Sequence, residues 1–464
     1  VSRLVVISNR VAVPKARGAA GAQGGLAGAL NSALQSNQGI WFGWSGEECE
    51  SYTGEIETVE SEGVTTATVA LSKQDIDEYY NGYANSTLWP LFHYRIDLTE
   101  YEQDFAKGYE RVNERFAEAA EPLIEDNDLI WVHDYHLIPL GERLRARGMK
   151  NRIGFFLHIP WPPARLFVSL PFHERLVTTM LAYDVIGFQT DEWLDSFLHY
   201  CTKELGAEVD EASGTITYEG RTTIARAYPI GIDWDHLQEQ GNTGEARQAG
   251  QRLLSSTRHR IAMLGVDRLD YSKGLPERID GIARFFDKHP ERVRDIVYIQ
   301  IAPPSREDVE SYQRIRETLE QKTGQINGAR SEVDIVPIRY VNRGHSLAEL
   351  FGFYRAAKIG LVTPLRDGMN LVAKEYLGAQ DPDDPGVLIL SRFAGAAQQL
   401  TEAILVNPHS PDDLSHAINK ALDMPREERK RRYDAMIGTV REDNVHRWTS
   451  NFLADLQGGE FGSP

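Results

Sequence analysis

The sequence predicts an α/β protein built from two doubly wound parallel-sheet domains. Two observations carry that prediction. At 464 residues the chain is longer than one hydrophobic core ordinarily serves, so two domains of about 200 residues each are expected. Short apolar runs also alternate with segments of helical periodicity, twice over, which marks parallel sheets covered by helices.

In the first half the apolar runs fall at 4–8, 129–133, 153–158 and 184–188. Between the first two, 39–46 reads as a short strand and turn. Ser72 stands where it caps a helix running through Ile76 and Tyr80. The second half repeats the scheme at 260–266, 296–301, 335–338, 359–363 and 387–390. Polar residues near 238–249 separate the halves, so the first domain is expected over 1–235 and the second over 236–440. A charged helical stretch over 426–456 is long enough to return, its part from about 440 to 456 packing on the first domain. The Gly-rich end 457–464 reads as a disordered tail.

Composition narrows the function classes. Apolar content of 41% with 25% charged residues is that of an ordinary globular protein. No apolar run approaches the ~20 residues needed to cross a bilayer, so no membrane role is expected. Arg3-Leu4-Val5-Val6-Ile7-Ser8-Asn9 reads as a buried strand and not as a signal peptide, which places the protein in the cytoplasm. A net charge of −18 argues against nucleic acid and makes cations beside strand ends more conspicuous. Cys49 and Cys201 form neither a disulfide framework nor a metal-ligand spacing.

The most informative stretch is Asp367-Gly368-Met369-Asn370-Leu371-Val372-Ala373-Lys374-Glu375 after the apolar run at 359–363. A strand ending in a tight turn that opens a helix presents unpaired amides and a positive dipole end, which suits a diphosphate. Glu375, one turn in, is placed to accept hydrogen bonds from a ribose. The ordinary alternative is a strand-to-helix connection with Asp near the cap. After the run at 260–266, Arg268 and Lys273 share one loop before a helix, a pair suited to a diphosphate without a metal. Arg306 follows the next strand and, taken singly, reads as a surface residue.

Arg10 follows the first strand, and Gly18, Gly21, Gly24 and Gly25 form a loop before a helix, a flap whose last glycines let amides approach a phosphate. His133-Asp134-Tyr135-His136 ends another strand. Asp134 can accept two sugar hydroxyls, or satisfy amides of a helix start. His158 ends the next strand; its plainer reading is a core histidine bonded to a carbonyl. His133 and His136 lack a third metal ligand at sensible spacing.

With these pieces the chain resembles the trehalose-6-phosphate synthases, retaining glycosyltransferases of the GT-B architecture, from Arg3 to about residue 455. The resemblance rests on Ser8-Asn9-Arg10, Gly24-Gly25-Leu26, Trp41-Phe42-Gly43-Trp44, Asp77-Glu78-Tyr79-Tyr80-Asn81, Leu88-Trp89-Pro90, the His133 and His158 motifs, Arg268-Leu269-Asp270-Tyr271-Ser272-Lys273-Gly274, and Leu365 through Tyr376. It implies two Rossmann-like domains facing a deep cleft, and transfer of glucose from UDP-glucose or another NDP-glucose to glucose 6-phosphate, with no cofactor and no metal. Carried over, catalysis falls to His158, Asp367, Arg268 and Lys273. The donor is held by Gly25, Arg268, Lys273, Asp367, Gly368, Met369, Asn370, Leu371 and Glu375. The acceptor is held by Arg10, Tyr80, Trp89, Asp134 and Arg306. The loop over 341–350 faces the donor base and leaves its identity open.

The same resemblance admits two alternatives, a pseudo-glycosyltransferase that couples cyclitols and a silent sugar-phosphate sensor. Intact Asp134, His158 and Asp367 favour glucosyl transfer over the first, and the presence of Arg268, Lys273 and Glu375 disfavours the second. Oligomeric state is not legible, and a homo-oligomer stays open.

Overall fold

A computed structural model describes residues 2–11, 30, 34–35, 39–61, 63–306 and 309–458. The glycine loop with Gly18, Gly21, Gly24 and Gly25, and the tail from 459, lie outside them. The chain divides into two compact units, residues 1–230 with 446–464, and residues 231–445.

The first unit is built on a ten-stranded sheet in the order β3-β4-β2-β1-β5-β6-β7-β10-β9-β8. Its strands are β1 (Leu4–Arg10), β2 (Ile40–Cys49), β3 (Glu57–Ser61), β4 (Val64–Ser72), β5 (Leu129–His133), β6 (Ile153–Phe156), β7 (Val185–Phe188), β8 (Glu208–Asp210), β9 (Thr215–Tyr218) and β10 (Arg221–Ala227). The central strands are parallel and fully buried, which is why they read as continuous apolar runs. Antiparallel partners close both edges, β3 on β4 at one side and β9 on β10 and β8 at the other.

Those edge strands were not legible as apolar runs. The 39–46 segment is longer than expected, since β2 continues to Cys49. Ser72 does cap a helix, its Oγ accepting from the Asp75 amide, but only Lys73–Asp75 is α-helical. The chain then continues as a π-helix over Ile76–Leu88.

The second unit has a six-stranded parallel sheet in the order β13-β12-β11-β14-β15-β16. Its strands are β11 (Ile261–Val266), β12 (Ile296–Ile301), β13 (Ile338–Val341), β14 (Ile359–Val362), β15 (Val387–Ser391) and β16 (Ile404–Val406). The sequence places the third run at 335–338, whereas β13 begins only at Ile338. Ile335 instead bridges back to Glu332, and Asn327 from the preceding helix bonds both backbone groups of Ile338, fixing where pairing starts. One core runs beneath this sheet, joining Met263, Ile282, Phe285, Phe286, Tyr298 and Leu361. Each such fully buried side chain contributes roughly 1.5–3 kcal/mol.

The expected helical stretch at 426–456 is two helices, Arg426–Glu442 and Val445–Gln457, broken at Asp443. From His446 onward the second belongs to the first unit. There Phe452 stacks on Trp131 at 4.5 Å and 11°, Trp448 packs on Trp131 at 4.8 Å, and Asp455 accepts from Arg226 at 2.7 Å. Among the described residues no helix is long and apolar enough to cross a membrane.

Candidate active site

In the second unit, β14 runs out at Val362 and the chain turns to Asn370, whose φ of 79° lies in the left-handed region. Helix Leu371–Ala379 then begins without a side-chain cap. Uncapped first-turn amides at a positive dipole end are the arrangement that receives an anion. Lys273, from the loop after β11, reaches this turn, with Nζ 2.5 Å from Asp367 Oδ2, and Asn370 Nδ2 donates to the same oxygen at 3.1 Å. Arg268 is half exposed and lies 3.6 Å from Asp270.

Arg306 is not the surface residue that its position in the sequence suggests. Its side chain is 7% exposed, because Tyr312 of the following helix covers it: Nη1 donates to the Tyr312 hydroxyl at 2.5 Å and lies 3.9 Å from Asp270. Glu375 accepts from the Tyr354 hydroxyl at 3.2 Å, and burial pushes its carboxyl above the usual range. The segment expected as a loop over 341–350 is a loop only over 342–346, since Val341 ends β13 and Ser346 caps helix Leu347–Ala356; beside it is a cavity of about 380 Å³ lined by Leu264, Ile301, Val341, Arg343, His345 and Phe353.

In the first unit, Arg10 ends β1 and lies over the Trp44 ring at 5.5 Å. Trp44 meets Tyr80 edge-on at 5.4 Å, and Tyr80 stacks on His136 at 6.0 Å. Trp89 packs on Tyr135 at 5.6 Å. Arg10, Tyr80, Trp89 and the 133–136 turn are thus joined through aromatic contacts. Asp134 has a φ of 75° and makes no side-chain cap bond; its Oδ1 accepts from the His158 amide at 3.2 Å.

His158 is bonded to side chains and not to a carbonyl. The Ile230 amide donates to Gln189 Oε1 at 3.0 Å, which turns the Gln189 nitrogen toward His158 Nδ1, 3.3 Å away. Nδ1 therefore accepts, and the His158 proton sits on Nε2, 3.0 Å from His133 Nδ1. His133 in turn carries its proton on Nε2, which is buried without a hydrogen-bond partner. Burial pulls the His158 imidazole down to about 3 and holds His133 well below its ordinary value. Both rings are neutral near pH 7.

The sequence profile of glycosyltransferase family 20 matches residues 2–458. The chain belongs to glycosyltransferase family 20. A family-20 relative, the trehalose-6-phosphate synthase of Sinorhizobium fredii, is 46% identical over 458 residues, covering 98% of each chain. The crystal structure of an alpha,alpha-trehalose-phosphate synthase (UDP-forming) from Burkholderia xenovorans in complex with glucose-6-phosphate superimposes with a TM-score of 0.95 at 46% identity, over 98% of this chain and 100% of that one. The Escherichia coli protein bound with UDP-2-fluoro glucose gives 0.93 at 42% identity, over 98% and 99%. The two parallel-sheet units are those of the GT-B fold.

Three buried residues that bond the candidate site residues or the strand ends bearing them were missed in the sequence. Asp270, fully buried, bonds the Ser272 amide at 2.9 Å, accepts from Tyr312 at 3.1 Å and lies near both Arg268 and Arg306. Its place between the two loop cations was the available signal. Arg278, also buried, donates to Asp267 at 2.6 Å, Gln300 at 2.9 Å and Thr363 at 2.8 Å, lashing together the ends of β11, β12 and β14. Gln189 gave no signal at all. Gly25 lies outside the described residues, and among those described no group of three or more His, Cys, Asp or Glu could hold a metal ion.

Proposed function

We propose that this chain transfers glucose from UDP-glucose to glucose 6-phosphate with retention, giving α,α-trehalose 6-phosphate and UDP. The observation that carries the reading is the strand-end cluster of the second unit: Lys273 tied to the turn at Asp367, beside an uncapped helix start, with Glu375 one turn along. Its relatives, a UDP-forming synthase seen with glucose-6-phosphate and a protein seen with UDP-2-fluoro glucose, share this chain's full length.

In this reading the second unit holds the donor. Arg268 and Lys273, with Gly25 and the amides near Asn370 and Leu371, bind the diphosphate, and Glu375 binds the ribose. Asp367, Gly368 and Met369 position the donor glucose. The base lies against the 341–350 segment. The first unit holds the acceptor through Arg10, Tyr80, Trp89 and Asp134, and Arg306 is assigned to the acceptor phosphate. His158 contributes to glucose positioning by giving up one of its two ring hydrogen bonds. The substrates are phosphorylated metabolites, and we place the protein in the cytoplasm.

Chemically, negative charge grows on the departing diphosphate where Lys273, Arg268 and helix amides are already fixed, which lowers the barrier without reorganisation. Asp367 is occupied by Lys273 and Asn370, which suits it to hold donor hydroxyls and not to attack the anomeric carbon. The leaving oxygen takes the acceptor proton on the same face, so the paired carboxylates of retaining glycosidases are not needed. Two cations and several amides balance the diphosphate charge without a divalent ion. The test is purified protein with UDP-glucose and glucose 6-phosphate, with and without EDTA, following UDP release and identifying the disaccharide by NMR. Equal rates and an α,α-linked phosphorylated product are expected. No disaccharide would sink the reading, and loss of activity in EDTA restored only by magnesium or manganese would sink its metal-free chemistry.

A further inference from the structure

The π-helix Ile76–Leu88 is thirteen residues long, whereas such winding ordinarily appears as a single turn and often at functional sites. Its last backbone bond runs from the Trp89 amide to the Ala84 carbonyl, an i→i−5 step, so the wide winding persists through Trp89. Tyr80 and Trp89 are nine positions apart. At about 4.4 residues per turn, the winding that i→i+5 bonding gives, that is close to two whole turns and puts them on one face. At the α-helical ~3.6 residues per turn the same separation is two and a half turns, and the two rings would point opposite ways. Asn85, five positions after Tyr80 and four before Trp89, falls near the same face.

Two side chains of this helix reach the strand ends that carry the acceptor residues. The Tyr79 hydroxyl donates to Asn9 Oδ1 at 2.7 Å, and Asn9 directly precedes Arg10. Asn85 Oδ1 accepts from the Tyr135 hydroxyl at 2.7 Å, and Tyr135 directly follows Asp134. Tyr79, Asn85 and Tyr135 are each no more than 1% exposed, and Asn9 is 8% exposed, so neither bond competes with much water. The start of the helix is anchored by Asp75, fully buried, whose carboxylate accepts from Ser72 at 2.8 Å, Arg111 at 2.9 Å and Arg115. Gly82 lets the helix lie against Phe105, whose ring a Cβ there would meet at 2.5 Å.

We infer that this π-helix is the element that builds the acceptor face, and that Tyr79 and Asn85 are its positioning residues. The inference rests on the acceptor reading above. The π winding brings Tyr80 and Trp89 together, and the two buried hydrogen bonds hold the strand end bearing Arg10 and the turn bearing Asp134 at fixed places against them. Neither Tyr79 nor Asn85 touches the acceptor in this assignment. They act through their neighbours.

Steady-state kinetics of Tyr79→Phe and Asn85→Leu, with UDP binding measured by calorimetry, test this. The KM for glucose 6-phosphate is expected to rise about fivefold or more in each, as for loss of one buried hydrogen bond, with the KM for UDP-glucose and the UDP affinity unchanged. Tyr135→Phe should copy Asn85→Leu, and the double variant should be no worse than either, since both remove the same bond. A lowered unfolding temperature with an unchanged KM for glucose 6-phosphate would show a purely structural role and overturn the inference. If Asn85→Leu does not fold, Tyr79→Phe, which removes one hydroxyl, decides alone. Arg10→Ala is the control for the underlying reading. If it leaves the KM for glucose 6-phosphate intact, the acceptor assignment falls and the inference with it; if it raises that KM while Tyr79→Phe does not, only the inference falls.

Discussion

Lys374 and Glu375 are consecutive, and burial works against the charged form of both while each side chain finds a different partner. Glu375 bonds Tyr354, while Lys374 is 1% exposed with Nζ donating to Gln399 at 2.7 Å. Burial pulls the Lys374 ammonium from 10.5 down to about 7, against the opposing pull of Asp443. Between those two values the unfolded chain binds a proton that the folded chain does not, so stability rises with pH across that window, and below it the penalty of a buried ammonium is fully present. Lys374→Met should therefore flatten that rise and raise the unfolding midpoint at pH 6. Thermal melts of both proteins between pH 6 and 9 check this, and parallel curves would contradict it. At this scale the sequence was readable where residues lie next to a strand end: the expected turn after β14 does open a helix, and Lys273 does reach Asp367. It failed where a side chain's surroundings come from distant segments. Arg306 was misread because Tyr312 and Asp270 cover it, and Gln189 because its partners are His158 and Ile230.

Among elements, the buried parallel strands were legible because both faces are covered and their residues form near-continuous apolar runs, as in β6 and in β5 up to Val132. The exposed edge strands β3 and β8 and the half-buried β9 carry no such run, and the π winding has no periodicity that an α-helical template detects. The C-terminal helix shows how an element far along the chain completes a core. Gly154 of β6 and Gly187 of β7 leave the space that the Phe452 ring fills, and a Cβ at either would come within 2.6 Å or 3.0 Å of it. Phe452→Ala should cost about 3–5 kcal/mol, the usual toll of emptying an aromatic site that cannot collapse. Urea unfolding of the variant measures it; a loss below about 1 kcal/mol would mean that the helix is not part of the first unit's core.

For the whole molecule, a net charge of −18 makes anionic substrates depend on a few placed cations, and the ones proposed above are divided between the units: Arg10 on the first, and Arg268, Lys273 and Arg306 on the second. Arg268 and Arg306 both lie within 4 Å of the Asp270 carboxylate, at 3.6 Å and 3.9 Å, yet they are assigned to different substrates. On that assignment their variants separate kinetically despite the shared neighbour. A charge-assisted hydrogen bond is worth roughly 1.5–3 kcal/mol, so loss of either arginine should weaken use of its own substrate by about 10- to 150-fold. Arg306→Ala should raise the KM for glucose 6-phosphate and leave UDP binding unchanged, whereas Arg268→Ala should weaken UDP binding and leave the acceptor KM nearly as it was. Initial-rate kinetics against both substrates, with UDP calorimetry on each variant, read this out. Identical effects of the two substitutions on both substrates would mean that they disturb one shared loop around Asp270, and equal use of free glucose and glucose 6-phosphate by the unaltered enzyme would remove the phosphate from the acceptor assignment altogether.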